Sequence, residues 1–328
     1  MNETTPQPQP PKPAENGLLA EPDPAMNDSL PRRGFLRLGT VAAMTALSRP
    51  MLQAADEAAP APKRRLKKAI MYATVGVKGS VLEKFQAVRE AGFAGVEPMS
   101  HMDQDEVLKA RDATGLELCS VCCGTHWAKP LSDPNPAVRE QGLDGLRQSL
   151  RDAKRYGATS VLLVPAVVNK QVSYTDAYQR SQAEIRKAIP LAEELGVKIA
   201  IENVWNQFLL SPIEAARYVD EFNSPWVGWH FDIGNIINYG WAEQWIRILG
   251  KRIQKLHLKE FSRKRRDNEG LWKGFEVEFL EGDNDWPSIM KALDEIGYSG
   301  WGIAEQPGGN SVEGLKNLSA RMDLIFAS

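Results

Sequence analysis

The chain has 328 residues, which is enough for one large domain or two small ones. Its formal net charge is -2, with 40 Lys and Arg against 42 Asp and Glu. This balance argues against a protein that binds a nucleic-acid backbone, since such proteins usually carry a strongly basic surface, and we expect no nucleic-acid partner.

The first 65 residues differ in composition from the rest of the chain. Residues 1–31 are rich in Pro, Ala, Asn and Glu without apolar periodicity, which predicts disorder. Paired arginines and a Gly-Phe-Leu sequence follow in 31–37, then an apolar run at 38–47 and small residues at 52–55. This order predicts a twin-arginine signal peptide, so we expect the twin-arginine export machinery as a partner and a periplasmic or otherwise extracytoplasmic location. The alternative is a solvated basic turn before a marginal helix.

The mature chain is expected to be soluble. The apolar run at 38–47 is shorter than the roughly 20 residues that a membrane-spanning helix needs. No later segment is more suitable, so we expect no stable membrane span after processing. Three clustered cysteines, Cys119, Cys122 and Cys123, are typical of a buried apolar strand and not of a disulfide framework.

From residue 66 onward, short apolar runs alternate with segments of helical periodicity. The apolar runs are 69–75, 95–99, 116–122, 160–165, 197–202, 227–232, 253–258 and 302–305. Several intervening helices are predicted to end at a glycine, which tolerates the left-handed conformation that closes a helix. These glycines are Gly92, Gly115, Gly157, Gly196 and Gly297.

Eight strands that alternate with helices predict a parallel sheet covered by helices. Eight such units in about 260 residues match the count and size of a (β/α)8 TIM barrel. The alternative is a doubly wound open sheet, but no G-x-G-x-x-G loop follows the first strand. We therefore predict an α/β fold in which residues 66–328 form a single (β/α)8 TIM barrel, preceded by a disordered export signal and linker in residues 1–65.

The fifth to eighth predicted strands each end in a residue that can bind a metal. These residues are Glu202, Asp232, His257 and Glu305. The carboxyl ends of barrel strands meet at one rim, where three carboxylates repel one another unless a cation binds between them. The pattern predicts one divalent metal ion, with Mn²⁺ expected first and Mg²⁺, Co²⁺ or Zn²⁺ as alternatives. The other interpretation is a set of salt bridges and helix caps.

The residues around these four positions resemble a known superfamily. The similar segments are 201–203 (IEN), 231–235 (FDIGN), 256–259 (LHLK) and 304–305 (AE). They look like the metal-binding strand ends of the xylose isomerase-like barrels, which include ketose 3-epimerases, hydroxypyruvate isomerases, inosose dehydratases and endonuclease IV. The likeness is greatest to proteins of the sugar phosphate isomerase/epimerase type and covers essentially residues 66–328.

This resemblance implies roles for individual residues. The four strand-end positions would hold the metal, and Glu202 and Glu305 would also be the catalytic acid/base pair. A metal chelated by a ketose carbonyl and its neighbouring hydroxyl lowers the cost of an enediolate, so one glutamate removes a proton and the other returns it from the opposite face. Arg263, six residues after His257, matches a substrate-binding arginine, although it also belongs to the basic run 263–266.

Two positions depart from the pattern of these relatives. Asn235 stands where many relatives have a histidine that contacts substrate or a second metal, and we include it among the substrate-binding candidates. The sequence after His257 lacks the Asp-x-His that the three-zinc nucleases use, which argues against nuclease activity.

Further substrate-binding candidates follow other strands at the same rim. They are Glu97, His126, Trp127, Trp205 and Lys259. Each has a plain structural alternative, such as a loop anchor or an ion pair. His230 is interpreted as structural, and the stretch 262–285 is predicted to form a lid over the site.

The leading hypothesis is a metal-dependent isomerase or epimerase of a keto sugar, with a small carbohydrate as its substrate. Export favours a free or oxidised sugar over a phosphorylated one. A lyase or dehydratase of a keto sugar or keto-cyclitol would use the same first proton transfer and is the alternative. A non-catalytic sugar-binding barrel is a third hypothesis, and an oligomer is compatible with the sequence.

Overall fold

The computed structural model describes residues 66–328. The predicted disordered leader, twin-arginine signal and linker of residues 1–65 lie outside the described residues and stay predictions. Within the described range, no helix combines the length and apolar character that crossing a membrane requires.

Parallel strands form a barrel. The strands are β1 (Leu66–Met71), β2 (Gly95–Glu97), β3 (Glu117–Leu118), β4 (Val121–Cys122), β5 (Ser160–Leu163), β6 (Lys198–Glu202), β7 (Val227–Asp232), β8 (Ile253–Leu258) and β9 (Gly300–Ala304). Their order is β3-β2-β1-β9-β8-β7-β6-β5-β4, and a parallel bridge between Met99 and Cys122 joins the two ends. The predicted α/β TIM barrel is therefore confirmed.

The third barrel strand is split, where the sequence predicted one continuous strand. Its first part, β3, pairs with β2, and its second part, β4, pairs with β5. Cys119 N donates to Val96 O, but the next donor to this neighbour is Cys122 N, which bonds Pro98 O. A step of three residues between the donors is thus matched by a step of two between the acceptors, which is the geometry of a bulge. Pro98 also has no N–H with which to continue the ladder. The three cysteines in and beside this strand are buried and free.

Helices cover the outside of the barrel. They are α1 (Val81–Glu90), α2 (Gln104–Thr114), α3 (Pro136–Tyr156), α4 (Tyr174–Leu195), α5 (Pro212–Asp220), α6 (Gly234–Ile237), α7 (Ala242–Leu249), α8 (Arg263–Glu269), α9 (Trp286–Glu295) and α10 (Val312–Ala327). The start of α1 is set by a capping box between Ser80 and Glu83. The ends of α2, α3 and α4 are set by left-handed Gly115, Gly157 and Gly196, as their positions in the sequence predict.

Strands β6 to β9 are neighbours in the barrel, and this adjacency brings the candidate residues together. All six residues of β7 are buried, because helices cover one face and the barrel interior covers the other. Because β6 to β9 are parallel neighbours, the polar residues at their carboxyl ends lie at the same rim of the barrel. The predicted lid follows β8 and contains α8 and a short 3-10 helix, Leu271–Phe275.

Candidate active site

The four predicted metal ligands meet at the end of strands β6 to β9. This acidic cluster consists of Glu202, Asp232, His257 and Glu305, and one ligand atom from each lies within 4.8 Å of the others. His257 Nδ1 faces two of the carboxylates, at 3.0 Å from Glu202 Oε1 and 3.1 Å from Glu305 Oε2. Glu202 and Glu305 come from the first and last of the four strands, so they approach this nitrogen from different sides.

Lys259 brings a positive charge to the same cluster. It lies two residues after His257, and its Nζ is 3.1 Å from Asp232 Oδ2 and 2.8 Å from Glu305 Oε2. The ammonium group therefore compensates two of the three carboxylates. Among residues 66–328, His257 is the one cationic side chain that the structure places at ion-pair distance from Glu202.

This uneven compensation separates the pKa values of the carboxyl groups. Burial raises the pKa of Glu202 to about 7, against an opposing contribution from His257. Burial also raises the pKa of Asp232 to about 6, against Lys259. For Glu305 burial is outweighed by Lys259 and then His257, which lower its pKa well below the usual range. The pKa of His257 is raised well above its usual value, since Glu97 and then Glu202 and Glu305 outweigh its burial.

The donor set fits a divalent cation. Asp232 Oδ2 and Glu305 Oε2 are buried atoms that accept no hydrogen bond of good geometry, although Lys259 lies at ion-pair distance from both. Buried carboxylate oxygens without hydrogen bonds are costly, and a metal ion would compensate them. Three carboxylates and one imidazole nitrogen match the preferences of Mn²⁺, Mg²⁺, Co²⁺ and Zn²⁺.

Glu97 and His230 lie behind the cluster, inside the barrel. Glu97 Oε2 is 2.8 Å from the second ring nitrogen of His257, Nε2. Glu97 Oε1 is 3.9 Å from His230 Nδ1, and the His230 ring packs edge-on against His257 with centroids 4.3 Å apart. Glu97 is fully buried and does not line the cavity described next, so the substrate contact predicted for it has no support in this geometry.

A cavity of about 630 Å³ opens over the cluster. Glu202, His257 and Glu305 line its base, and this volume lies in the range of pockets that hold small-molecule ligands, about 300–1,000 Å³. Five of the predicted substrate-binding residues also line it. They are His126, Trp127, Trp205, Asn235 and Lys259.

His126 and Trp127 lie on the side of the cavity that follows β4. Val164 N donates to His126 Nδ1, which assigns the ring proton of the neutral imidazole to Nε2. Burial lowers the pKa of His126 to about 4, so this ring is neutral at pH 7. Trp127 packs edge-on against it and remains half exposed.

Trp205 and Asn235 are hydrogen-bonded to each other, and Asn235 is also hydrogen-bonded to the acidic cluster. Trp205 Nε1 donates to the carbonyl of Asn235 at 2.8 Å. Asn235 N donates to Asp232 Oδ1 at 2.9 Å, and its side-chain Nδ2 donates to Asn203 O. Asn235 thus orients a predicted metal ligand in addition to lining the cavity.

Arg263 does not reach the cavity. Its guanidinium donates to the carbonyls of Ile237 at 2.8 Å and Gly240 at 3.0 Å, which joins α8 to the segment after α6. The substrate contact that the sequence predicted for this residue stays a prediction. Spacing from His257 could not reveal that nearby carbonyl groups would compete for the guanidinium.

Two supporting residues were missed by the sequence reasoning. Asn203 Oδ1 accepts from Asp232 N and Trp229 Nε1, which ties β6 to β7 beside the cluster. Glu260 is fully buried and its carboxylate accepts from Leu280 N, Asn284 N and Trp286 Nε1, anchoring the segment that follows β8. Both residues are polar and lie within two residues of a strand end, which is the feature of the sequence that could have indicated them. Their hydrogen-bond partners, however, are known only from the tertiary structure.

The family model described as xylose isomerase-like TIM barrel matches residues 85–325. The chain belongs to this family. L-ribulose-5-phosphate 3-epimerase UlaE of Escherichia coli O1:K1 / APEC is 27% identical over 263 residues, covering 74% of this chain and 89% of that protein. The sequence-based assignment to the xylose isomerase-like superfamily is thereby confirmed, with sugar epimerases as relatives.

Two solved structures show the same family fold. The structure of an L-ribulose 3-epimerase matches with a TM-score of 0.67 at 18% identity, covering 80% of this chain and 95% of that one. The structure of the IOLI protein with a bound zinc atom matches with a TM-score of 0.64 at 16% identity, covering 80% and 98%. At sequence identities of 16% and 18%, these similarities establish that the chain has the same barrel fold.

Proposed function

We propose that this chain is a divalent-metal-dependent isomerase or epimerase of an unphosphorylated keto sugar. The observation that carries the proposal is the placement of Glu202 and Glu305 on either side of His257 Nδ1, at 3.0 and 3.1 Å. Epimerisation needs one group to remove a proton from carbon and a second to return it from the opposite face. The similarity to sugar epimerases supports the same reaction class.

In this proposal the acidic cluster holds Mn²⁺, Mg²⁺, Co²⁺ or Zn²⁺, with Mn²⁺ expected first. The cation, when bound, supplies Lewis-acid polarisation of the sugar carbonyl. Glu202 and Glu305 exchange the proton on the adjacent carbon through their Oε atoms. Lys259 Nζ keeps Glu305 ionised and donates hydrogen bonds to a sugar oxygen, while His126 Nε2–H provides a further donor in the cavity.

Proton exchange with solvent tests this proposal. The Mn²⁺-loaded protein should incorporate deuterium from D2O at the carbon next to the carbonyl of D-fructose, D-tagatose, D-psicose or L-ribulose, with NMR detection of the exchange and of the epimer. Glu305→Gln should abolish exchange, whereas Glu295→Gln, an exposed glutamate paired with Arg247, should retain it. Absence of exchange with every ketose in the metal-loaded wild type would contradict the proposal.

Lys259 favours a lyase as the second candidate. A two-base epimerase does not require a third proton donor, but this ammonium group lies 2.8 Å from Glu305 and lines the cavity. A lyase needs such a donor to protonate a leaving β-hydroxyl after the carbon proton has been removed. Water loss would produce a conjugated carbonyl with a new ultraviolet absorbance, which epimerisation does not produce.

We also propose export through the twin-arginine pathway, supported by the Arg32-Arg33-Gly34-Phe35-Leu36 sequence. The full chain should be processed and recovered outside the cytoplasm of an expressing bacterium. Changing both Arg32 and Arg33 to Lys should retain the unprocessed chain in the cytoplasmic fraction. Equal export of this double variant and the wild type would contradict the proposal.

A further inference from the structure

Four aromatic side chains pack together beside the cavity, and three of them, all except Phe261, line it. We call Trp205, Phe261, Trp272 and Phe275 the aromatic wall. Trp205 lies at its centre, with ring centroids 4.9 Å from Trp272, 4.9 Å from Phe275 and 5.7 Å from Phe261. Its inner end reaches the acidic cluster, since Lys259 Nζ is 5.2 Å from the Phe275 ring centroid.

The outer end of the wall is open to solvent. Phe261 is fully buried, whereas 66% of Trp272 is exposed although this residue lines the cavity. Trp127, 53% exposed, also lines the cavity and follows the third strand of the barrel, while Trp272 follows the seventh. The third and seventh of eight units lie opposite each other in a closed barrel. Exposed indole rings from two separate segments of the chain therefore line the cavity.

The segment that carries Trp272 is firmly held. Gly274 O accepts from Ser262 N at 2.8 Å, and Gly274 packs so closely on Phe261 that an added Cβ would be 2.4 Å from its ring. Arg266 Nη1 donates to the carbonyl of Asn238 at 2.9 Å. A preformed aromatic surface costs little ordering entropy when a ligand binds to it.

The charges in the cavity are unsuited to a phosphate group. Among the described residues that line it, Lys259 is the one side chain with a permanent positive charge, and Asp232 and Glu305 already compensate it. The start of α10 beside the cavity is capped by its own Ser311, whose Oγ accepts from Gly314 N. A buried phosphate without cationic partners is strongly disfavoured near carboxylates.

From these features we infer that the substrate is a glycoside-type keto sugar, in which a second sugar ring occupies the position that a phosphate takes in phosphorylated ketoses. This inference rests on the proposed function, because the keto ring must lie over the acidic cluster. The second ring then lies along the aromatic wall towards Trp272. Partial positive charge on the C–H face of a sugar ring complements the negative face of an indole ring.

Equilibrium binding to the Mn²⁺-loaded protein, measured by isothermal titration calorimetry, tests the inference. The probes are D-fructose, D-fructose 6-phosphate and three glucosyl-fructoses linked through C4, C5 or C6 (maltulose, leucrose and isomaltulose). At least one disaccharide should bind on the order of tenfold more tightly than D-fructose, a gain of the size that one aromatic contact supplies. D-fructose 6-phosphate should bind no better than D-fructose.

Trp272→Ala should lower the affinity for the disaccharide by a larger factor than the affinity for D-fructose, which removes the advantage of the disaccharide. Trp241→Ala is the matched control, because Trp241 is 58% exposed and does not line the cavity. Preferential binding of D-fructose 6-phosphate, or the absence of any disaccharide preference, would overturn the inference. So would a Trp272→Ala protein with unaltered sugar affinities but a smaller oligomer in sedimentation, since Trp272 would then belong to an interface between copies.

Failure of this inference is distinguishable from failure of the proposed function. Deuterium exchange into D-fructose without a disaccharide preference would leave the reaction intact and refute the subsite. A Trp272-dependent disaccharide preference without exchange into that disaccharide or into any of the four ketoses D-fructose, D-tagatose, D-psicose and L-ribulose would establish the subsite and refute the proposed reaction.

Discussion

His257 and Glu97 form a buried pair in which Glu97 Oε2 lies 2.8 Å from His257 Nε2. A carboxylate only accepts, so Nε2 donates to Glu97, while Nδ1 faces Glu202 and Glu305 and is the nitrogen that would bind a metal once it has lost its own proton. A metal-binding histidine is commonly oriented by a carboxylate on its other nitrogen, which also makes the ligating nitrogen more basic. Glu97 is therefore interpreted as a positioning residue for His257.

Replacing Glu97 by Gln should weaken metal binding by about 10–100-fold, the usual effect of losing such a partner. The amide can still accept from Nε2, so the fold should persist while the negative charge is lost. Titration with Mn²⁺, followed by the electron paramagnetic resonance signal of the free ion, measures the change. Glu184→Gln is the control, since Glu184 is a buried glutamate on α4 that pairs with Arg139. Equal affinity of the Glu97 variant and the wild type would refute the positioning role.

Metal-dependent stabilisation should increase with pH. In the metal-free protein, burial raises the pKa of Glu202 from 4.5 to about 7 and that of Asp232 from 3.8 to about 6. A carboxyl with a raised folded-state pKa binds more protons in the folded than in the unfolded protein, so its contribution to stability falls as pH rises between these values. Metal ligation instead requires deprotonated ligands and strengthens over the same range.

The quantity to measure is the difference in Tm between metal-loaded and metal-free protein, in which contributions from distant surface groups cancel. It should grow from about pH 4.5 through pH 7 as the two shifted carboxyls lose their protons, and grow further above pH 7 as His257, whose pKa is raised well above its usual value, loses its proton. The opposite trend, or a constant difference, would show that protons and metal do not compete for this cluster.

Lys259→Met should destabilise the metal-free protein and tighten metal binding. Without the ammonium group, Asp232 and Glu305 lose their cation, and removing one partner of a buried ion pair costs about 3–5 kcal/mol. The same loss removes a positive charge that opposes a bound cation. Chemical denaturation with and without Mn²⁺ measures both effects.

Lys68→Met is a matched control for this variant. The side chain of Lys68 is 16% exposed, against 15% for Lys259, and it pairs with Asp323 at 2.7 Å. Its replacement should leave metal affinity unchanged. If Lys259→Met weakened metal binding instead, the ammonium group would have to support the ligands and not compete with the metal.

Gly274→Ala should disturb the aromatic wall without affecting the acidic cluster. The new Cβ would be 2.4 Å from a ring carbon of Phe261, which is fully buried and has no free space into which to move. Sugar affinity should fall, while the metal content stays at the wild-type level. Gly300→Ala is the control, because its nearest contact would be the Tyr298 hydroxyl at 3.2 Å. Loss of metal from the Gly274 variant would contradict the predicted independence of wall and cluster.

Much of the barrel was predictable because each strand and helix leaves a local pattern. Strands β7 and β8 begin and end at the residues that the apolar runs predict, and all of their residues except the partly exposed Gln254 are buried. The third strand was predicted as one piece and is two. The bulge is defined by pairing with residues 96 and 98, which the local sequence of 116–122 does not contain.

The candidate ligand set followed from the sequence by itself, because parallel strands end at one rim and β6 to β9 each carry a carboxylate or imidazole within one residue of their carboxyl end. The sequence also contained the family resemblance. Only the tertiary structure decided which groups each of these side chains contacts, because the possible partners are distant in the chain. It directs Glu97 to His257, Arg263 to the carbonyls of Ile237 and Gly240, and Lys259 to the carboxylates.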